Sequence, residues 1–342
     1  MRRGIETIPA PLCVVCGGTG TIEQRDLVDR LFGVPGRWQY RRCGCCGALW
    51  QDPMVSEAAV GAVYARYHTH EVPPSGRPSL SRRFYAWLTR GYLAAQFGYE
   101  AGAWQRAIGR VLALHPGRRA DADFSAMYLP ASSRGRVLDV GCGRGEMMEL
   151  LSALGWSVYG IDVDPKAVEV TRSRGLPAEC AAIWSDTLGR GTFDVIWMSH
   201  VIEHVHQPVE VLRRCRELLA PGGTLVAVTP NSESWGYQVF GSAWRGLEPP
   251  RHLQVFTRRS FLDAVARAGF PTVDVRITIR NARGIHGMSR AIQTAAFRDA
   301  PVESAPTPTF GDELWQMAEW LRTRWRAEDG EELVLIARTA QS

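Results

Sequence analysis

Three groups of residues in this 342-residue chain have the types and spacing to do chemistry. The stretch "SHVIEHVHQP", Ser199 to Pro208, sets His200, Glu203, His204 and His206 close together. Read as H-x-x-E-H, it matches an inverted zinc-peptidase motif, in which two histidines hold the metal and the glutamate activates water. The second group is two C-x-x-C knuckles, Cys13 with Cys16 and Cys43 with Cys46, separated by 26 residues. Four thiolates at this spacing close a tetrahedral zinc site, and Gly17 and Gly47 ease the turn after each knuckle. A closed set of four points to structural zinc. Cys45, inside the second knuckle, leaves open whether it or Cys46 is the fourth ligand.

The third group is "LDVGCGRG", where Asp139 stands two positions before Gly141, and Gly143 and Gly145 follow. Glycines let the backbone turn tightly and let a ligand approach a sheet edge. A dinucleotide-binding loop more often reads G-x-G-x-x-G and faces a pyrophosphate. Here the third glycine comes one residue early and an acid precedes the loop. That suits S-adenosylmethionine, whose sulfonium and ammonium are cationic. Asp162, 23 residues after Asp139, stands where a carboxylate can hold both ribose hydroxyls.

These side chains need elements to hold them. From about residue 134, "RVLDVGCG", "SVYGIDVD", "FDVIWMS", "TLVAVTP", "TVDVRITI" and "ELVLIAR" read as strands. Helices alternate with them. One follows the glycine loop with Met147, Leu150, Leu151 and Leu154 on a face, and one runs from Pro208 to Ala220 with Val211, Cys215, Leu218 and Leu219. Asp164-Pro165 and Thr257 mark further helix starts. Such alternation predicts an α/β fold with a parallel, doubly wound sheet. Earlier, Val60, Val63, Tyr64 and Tyr67, then Trp104, Ile108, Val111 and Leu112, follow helical spacing on either side of a loop, "EVPPSGRPSL". A strand thus leads straight into His200 and the next helix starts only at Pro208. Residues 200–206 then occupy the loop at a strand's C-terminal end, the edge where open α/β sheets bind ligands. A peptidase would need both histidines and the glutamate on one helical face, so that reading fails. His206 reads as a solvated loop residue.

Composition adds limits. Of 40 basic residues only Lys166 is lysine, a skew of genomic type that weakens any argument from the net charge of +5 to nucleic acid. The excess sits early, with 16 basic against 10 acidic residues in 1–130. No apolar run reaches membrane-spanning length, and "MRRGIETIPAPLC" lacks the apolar core of a signal peptide. The expectation is a cytoplasmic protein, in which clustered cysteines serve metal rather than disulfides.

The pieces "VLDVGCGRG", "VYGIDVDP", "FDVIWMSHVIEHV", "LLAPGGTLVAVTPN" and "PPRHLQVFTRRSF…AGF", in that order, resemble a class I S-adenosylmethionine-dependent methyltransferase over residues 134–340. The resemblance implies a mostly parallel, seven-stranded Rossmann-like sheet. It also implies cofactor-binding roles for Asp139, Gly141, Cys142, Gly143, Asp162, Val163, Ile183 and Ser199. Family members often place an Asp near the adenine after the third strand. Here that stretch is "CAAIW", so Ile183, with Ala182 and Trp184, would supply apolar contact instead. The front end, "CVVC…RCGCCGALWQDP…VYARY", resembles the zinc-binding lead-in of some bacterial methyltransferases. Small-RNA 3′-terminal and ubiquinone-pathway O-methyltransferases carry related segments at the "EH" and use a divalent cation. Relative to them, His200 replaces an acid, Glu203 and His204 match, and His252 takes the place of a later histidine. His200, Glu203, His204 and His252 are thereby candidate ligands for a second divalent ion. The other reading has Glu203 and His204 brace the loop, with His204 or His252 as general base.

The expected organisation is a zinc-ribbon-like module at residues 10–53, a helical linker or lid at 54–130, and a methyltransferase domain at 131–342. That domain carries a helical insertion at about 283–326, where Leu314, Met317, Ala318 and Leu321 share a face. Added helices form a lid or a dimer surface, so a homodimer is one expectation. Trp244 and Arg245 are candidates to hold a sugar, an aromatic ring or a base. The expected function is O- or N-methylation of a small metabolite, such as a natural-product or glycan intermediate. A metal-using RNA methyltransferase comes second, because no dense basic stripe with interleaved aromatics is present. A non-catalytic zinc-ribbon interaction protein comes third, and the intact glycine loop and Asp162 stand against it.

Overall fold

The computed structural model describes residues 5–64 and 79–341. Tyr67 and most of "EVPPSGRPSL" lie outside the described residues. The strands are β1 (Thr7–Ile8), β2 (Gly20–Leu27), β3 (Trp38–Cys43), β4 (Leu49–Gln51), β5 (Met54–Val55), β6 (Arg136–Val140), β7 (Ser157–Asp162), β8 (Ala178–Cys180), β9 (Phe193–Ser199), β10 (Leu219–Pro230), β11 (Gln254–Val255), β12 (Thr272–Thr278) and β13 (Glu332–Arg338). The α-helices are α1 (Val60–Tyr64), α2 (Leu80–Phe97), α3 (Ala103–Gly109), α4 (Pro116–Ser125), α5 (Glu146–Ala153), α6 (Pro165–Ser173), α7 (Pro208–Leu218), α8 (Trp235–Phe240), α9 (Arg258–Arg267), α10 (Ala282–Phe297) and α11 (Phe310–Arg322).

Seven strands form one sheet in the order β12-β13-β10-β9-β6-β7-β8. β6 runs parallel to β7 and β9, and β7 to β8, while the closing pair β12–β13 is antiparallel. This is the mostly parallel Rossmann-like sheet expected, and its order reverses between β6 and β9. Local chemistry explains the register of the helices. The Asp164 side chain accepts from the Lys166 amide with Pro165 in the first turn, and Thr257 forms a capping box with Ser260. α7 buries Val211, Cys215 and Leu218 as its periodicity implies. In α5 the inward stripe is Met148 and Leu151, rotated from the one expected, and Leu150 is exposed.

The chain divides into two compact units. One comprises Met1–Tyr67, Ser199–Arg216 and Ala227–Ala340; the other comprises His68–Met198, Glu217–Val226 and Gln341–Ser342. Within the second, α2 and α3 cross so closely that a Cβ on Gly91 would lie 2.1 Å from the Gln105 carbonyl oxygen. The stripe expected around Trp104 breaks here. α3 passes into a 3₁₀ turn at Arg110, so the i, i+3, i+4 register is lost. Leu112 is buried while Trp104, Ile108 and Val111 face solvent.

Within the first unit, the antiparallel sheet β11-β4-β3-β2 joins the N-terminal strands to a segment from residue 254, some two hundred positions later. α11 departs from expectation: it buries Asp312, Gln316 and Glu319 and exposes Leu314 and Leu321. Each buried polar group has a partner. Asp312 caps the helix through Thr309 and pairs with His286, Gln316 donates to the Ile279 carbonyl, and Glu319 accepts from the Glu331 amide. Satisfied hydrogen bonds let a polar face go inward where periodicity favours the apolar one. No described helix is long and apolar enough to cross a membrane.

Candidate active site

The glycine loop leaves β6 with Gly141, Gly143 and Gly145 all at positive φ, a conformation side-chain-bearing residues rarely adopt. At Gly145 a Cβ would also come 2.8 Å from the Thr171 methyl. Asp162 ties this loop to the next. Its carboxylate accepts from the Gly143 amide at 2.8 Å and the Asp164 amide at 2.9 Å. Asp139 is buried, and burial, followed by the neighbouring charge of Asp162, pushes its carboxyl up to about 8. Two such close acids make a site that gains from a positively charged ligand. Cys142 and Ile183 are buried, whereas Val163 is exposed. Ser199 ends β9 and belongs to the first unit.

That unit carries the histidines. His200 follows β9 directly and adopts φ +53, its amide donating to the Val228 carbonyl. Its Nδ1 lies 3.1 Å from Glu203 Oε1 and its Nε2 3.1 Å from Glu332 Oε1. Arg280 also reaches the Glu332 carboxylate, and the Thr229 hydroxyl donates to Glu203 Oε2. Burial alone would lower the His200 pKa, but the bonds to Glu203 and Glu332 outweigh it and raise it to about 10. Burial opposes ionisation of Glu203, yet the His200 bond and charge bring its carboxyl down to about 2. His200 is therefore an imidazolium clamped between two carboxylates.

Glu203, His204 and His252 form a separate group, each offering a ligand atom within 4.8 Å of the others. His200, with both ring nitrogens engaged, stands outside it. His204 Nδ1 is 2.9 Å from the Arg251 carbonyl, and His252 Nδ1 is 2.7 Å from the Gly246 carbonyl. A carbonyl can only accept, so both Nδ1 atoms carry a proton and each Nε2 is left for another partner. Burial, then the charge of His204, holds His252 down to about 4, which keeps it neutral. This is how proteins prepare imidazoles to ligate metal or to accept a proton.

Residues of the N-terminal segment brace this group. The Tyr64 hydroxyl lies 2.8 Å from His204 Nδ1, and the Tyr40 hydroxyl donates to the carbonyls of Leu247 and His252. Asp29 takes both terminal nitrogens of fully buried Arg251, at 2.9 and 3.1 Å, and Arg251 Nε donates to Glu248. Glu248 Oε2 lies 3.6 Å from His252 Nε2. Sequence reasoning missed these supports. Glu248 and Arg251 flank His252 in "EPPRH" and were a usable signal, whereas Asp29, Tyr40 and Tyr64 carry none locally.

The cysteines converge as expected. Cys13 and Cys46 sulfurs lie 3.6 Å apart, Cys16 and Cys43 3.4 Å, and all four are mutually within 4.8 Å. Zinc–sulfur bonds of about 2.3 Å imply sulfur separations of about 3.8 Å, so the set fits a tetrahedral ion. The Cys43 sulfur accepts from the amides of Cys45 and Cys46. Cys45 is exposed and lies outside the group, whereas Cys46 is within it. Two expectations are corrected. Trp244 is buried and donates to Glu331, and Arg245 pairs with Glu248, so neither forms a ligand platform. His206 is half-buried, with Nε2 2.7 Å from the Val55 carbonyl.

Residues 113–275 match a family model described as a methyltransferase domain. A ubiquinone biosynthesis O-methyltransferase of Cereibacter sphaeroides is 34% identical over 167 residues, 45% of this chain and 66% of that protein. The match thus spans just under two thirds of that relative. A second protein of that name from the same species is 29% identical over 203 residues, 53% of this chain and 82% of its own. Among solved structures, a SAM-dependent methyltransferase from Archaeoglobus fulgidus covers 67% of this chain and 93% of its own at 18% identity and a TM-score of 0.43.

Proposed function

We propose, from the premise that this chain belongs to the class I S-adenosylmethionine-dependent methyltransferases, that it methylates an oxygen or nitrogen atom of a small metabolite in the cytoplasm. The relatives' name, ubiquinone biosynthesis O-methyltransferase, supports a hydroxyl acceptor on a small molecule. In this reading Asp139, Gly141, Cys142, Gly143, Asp162, Val163, Ile183 and Ser199 hold the donor. Residues 10–53 form a module closed by zinc on Cys13, Cys16, Cys43 and Cys46, residues 54–130 a helical linker, and residues 131–342 the catalytic domain.

One observation carries the acceptor chemistry: Glu203, His204 and His252 each offer a ligand atom within 4.8 Å of the others, with both imidazole Nδ1 atoms already bound to carbonyls. Such an N₂O set suits a divalent ion, which when bound would lower the pKa of an acceptor hydroxyl. Two imidazoles favour the softer ions over Mg²⁺. His200 and Glu332 orient Glu203 without joining the ligands. In the transfer, an acceptor lone pair forms the new bond to the methyl carbon as the sulfonium–carbon bond breaks. The acceptor's proton leaves to a base, a role that an Nε2 atom takes only where it does not ligate an ion, and alignment of the two reactants supplies much of the rate.

The test pairs metal analysis with a methyl-transfer screen of hydroxylated metabolites. Native protein is expected to hold a second ion beside zinc. His252→Ala should lose that ion and about 10–100-fold in turnover while binding S-adenosylhomocysteine normally. Full turnover in His204→Ala, with donor binding unchanged, would end this reading.

A further inference from the structure

The unit that carries the histidines holds a cavity of about 730 Å³ that involves none of the ligand or base candidates above, lined in part by Arg42, Glu233, Tyr237, Trp325, Arg326 and Glu328. Its size is that of a small-molecule pocket. Charge alone does not decide what kind of molecule it suits. Arg42 is neutralised by Glu23 through bonds of 2.8 and 2.7 Å, and Asp329, also in the lining, by Arg322. That leaves Glu233 and Glu328 with Arg326 in the lining and Arg258 beside them, so the charges balance and nothing selects a phosphate or nucleotide over a neutral molecule. Glu328 Oε2 is buried and lacks a hydrogen-bond partner among the described residues. A buried acceptor in that state calls for a donor. Beside it the Trp325 ring is 80% exposed, a flat apolar face at the cavity.

We propose that this cavity binds a neutral sugar ring, with the ring's C–H face on Trp325 and hydroxyl groups donating to Glu328 and Glu233. Arg326 donates to a ring or hydroxyl oxygen. A sugar supplies both the apolar face and the hydroxyl donors. The inference is independent of the methyl-transfer reading.

Saturation-transfer NMR and calorimetry on the full chain test it, using the methyl glycosides of glucose, galactose, mannose and N-acetylglucosamine, with ADP and inorganic phosphate as contrasts. At least one glycoside should bind in the millimolar range or tighter. Trp325→Ala and Glu328→Gln should each weaken that binding by about tenfold. Both variants should keep native affinity for S-adenosylhomocysteine, which shows that they fold. The proposal is overturned if no glycoside binds, if the bound one is held equally by both variants, or if ADP or phosphate binds in its place.

Discussion

His200 sits in left-handed backbone conformation with its ring clamped between Glu203 and Glu332, and its side chain stays about one-third exposed (36%). Because the folded pKa of His200 is raised to about 10, above its ordinary value, its contribution to stability is complete below about pH 6.5. It fades as pH rises through about 10. His200→Gln should cost about 2 kcal/mol near neutrality, the worth of a charge-assisted hydrogen bond. Its urea midpoint should also fall less than the native one between those pH values. A variant whose midpoint tracked the native one across that window would show that the ring is uncharged.

At the scale of elements, β11 is the join that matters. It pairs with β4 while the preceding residue, Leu253, donates to the Glu203 carbonyl, so one short segment touches both the N-terminal sheet and the "EH" turn. Arg251 locks that join from inside, fully buried against Asp29 and Glu248. Arg251→Met should leave buried Asp29 without its cation and Glu248 with Arg245 alone, and cost about 3–5 kcal/mol in denaturant unfolding. Tyr40→Phe, which removes one hydroxyl from the same region, should cost about 1 kcal/mol. Equal losses in the two would show that the ion pair contributes nothing beyond a hydrogen bond. None of this was legible in the sequence, because Asp29 and Arg251 are 222 positions apart and no periodicity links them. Likewise the polar face of α11 escaped a reading that scores only apolar spacing.

For the whole molecule, legibility followed locality. The knuckles, the glycine loop and the strand-then-loop setting of His200 are short-range patterns, and the seven-stranded sheet follows from the alternation that contains them. What stayed hidden was the sharing of residues between segments, including the use of both His200 nitrogens by acids 3 and 132 positions away. The cluster of Cys13, Cys16, Cys43 and Cys46 shows the effect at the largest scale. Cys46→Ser should lose about one zinc per chain and lower the melting temperature by about 5–10 °C, as a loss of about 2–3 kcal/mol would. Cys45→Ser should keep both metal and melting temperature. Metal analysis and thermal melting of the pair decide the matter, and equal loss in both would place Cys45 among the ligands.

The strand pairing between β4 and β11 has a consequence for inheritance. A front end that lends a strand and a counter-ion to the segment around Arg251 and Gln254 cannot be exchanged by recombination as a self-contained cassette. Any replacement must arrive with its own partner for Arg251 and its own edge for Gln254 and Val255. The two segments, far apart in the gene, are expected to vary as one.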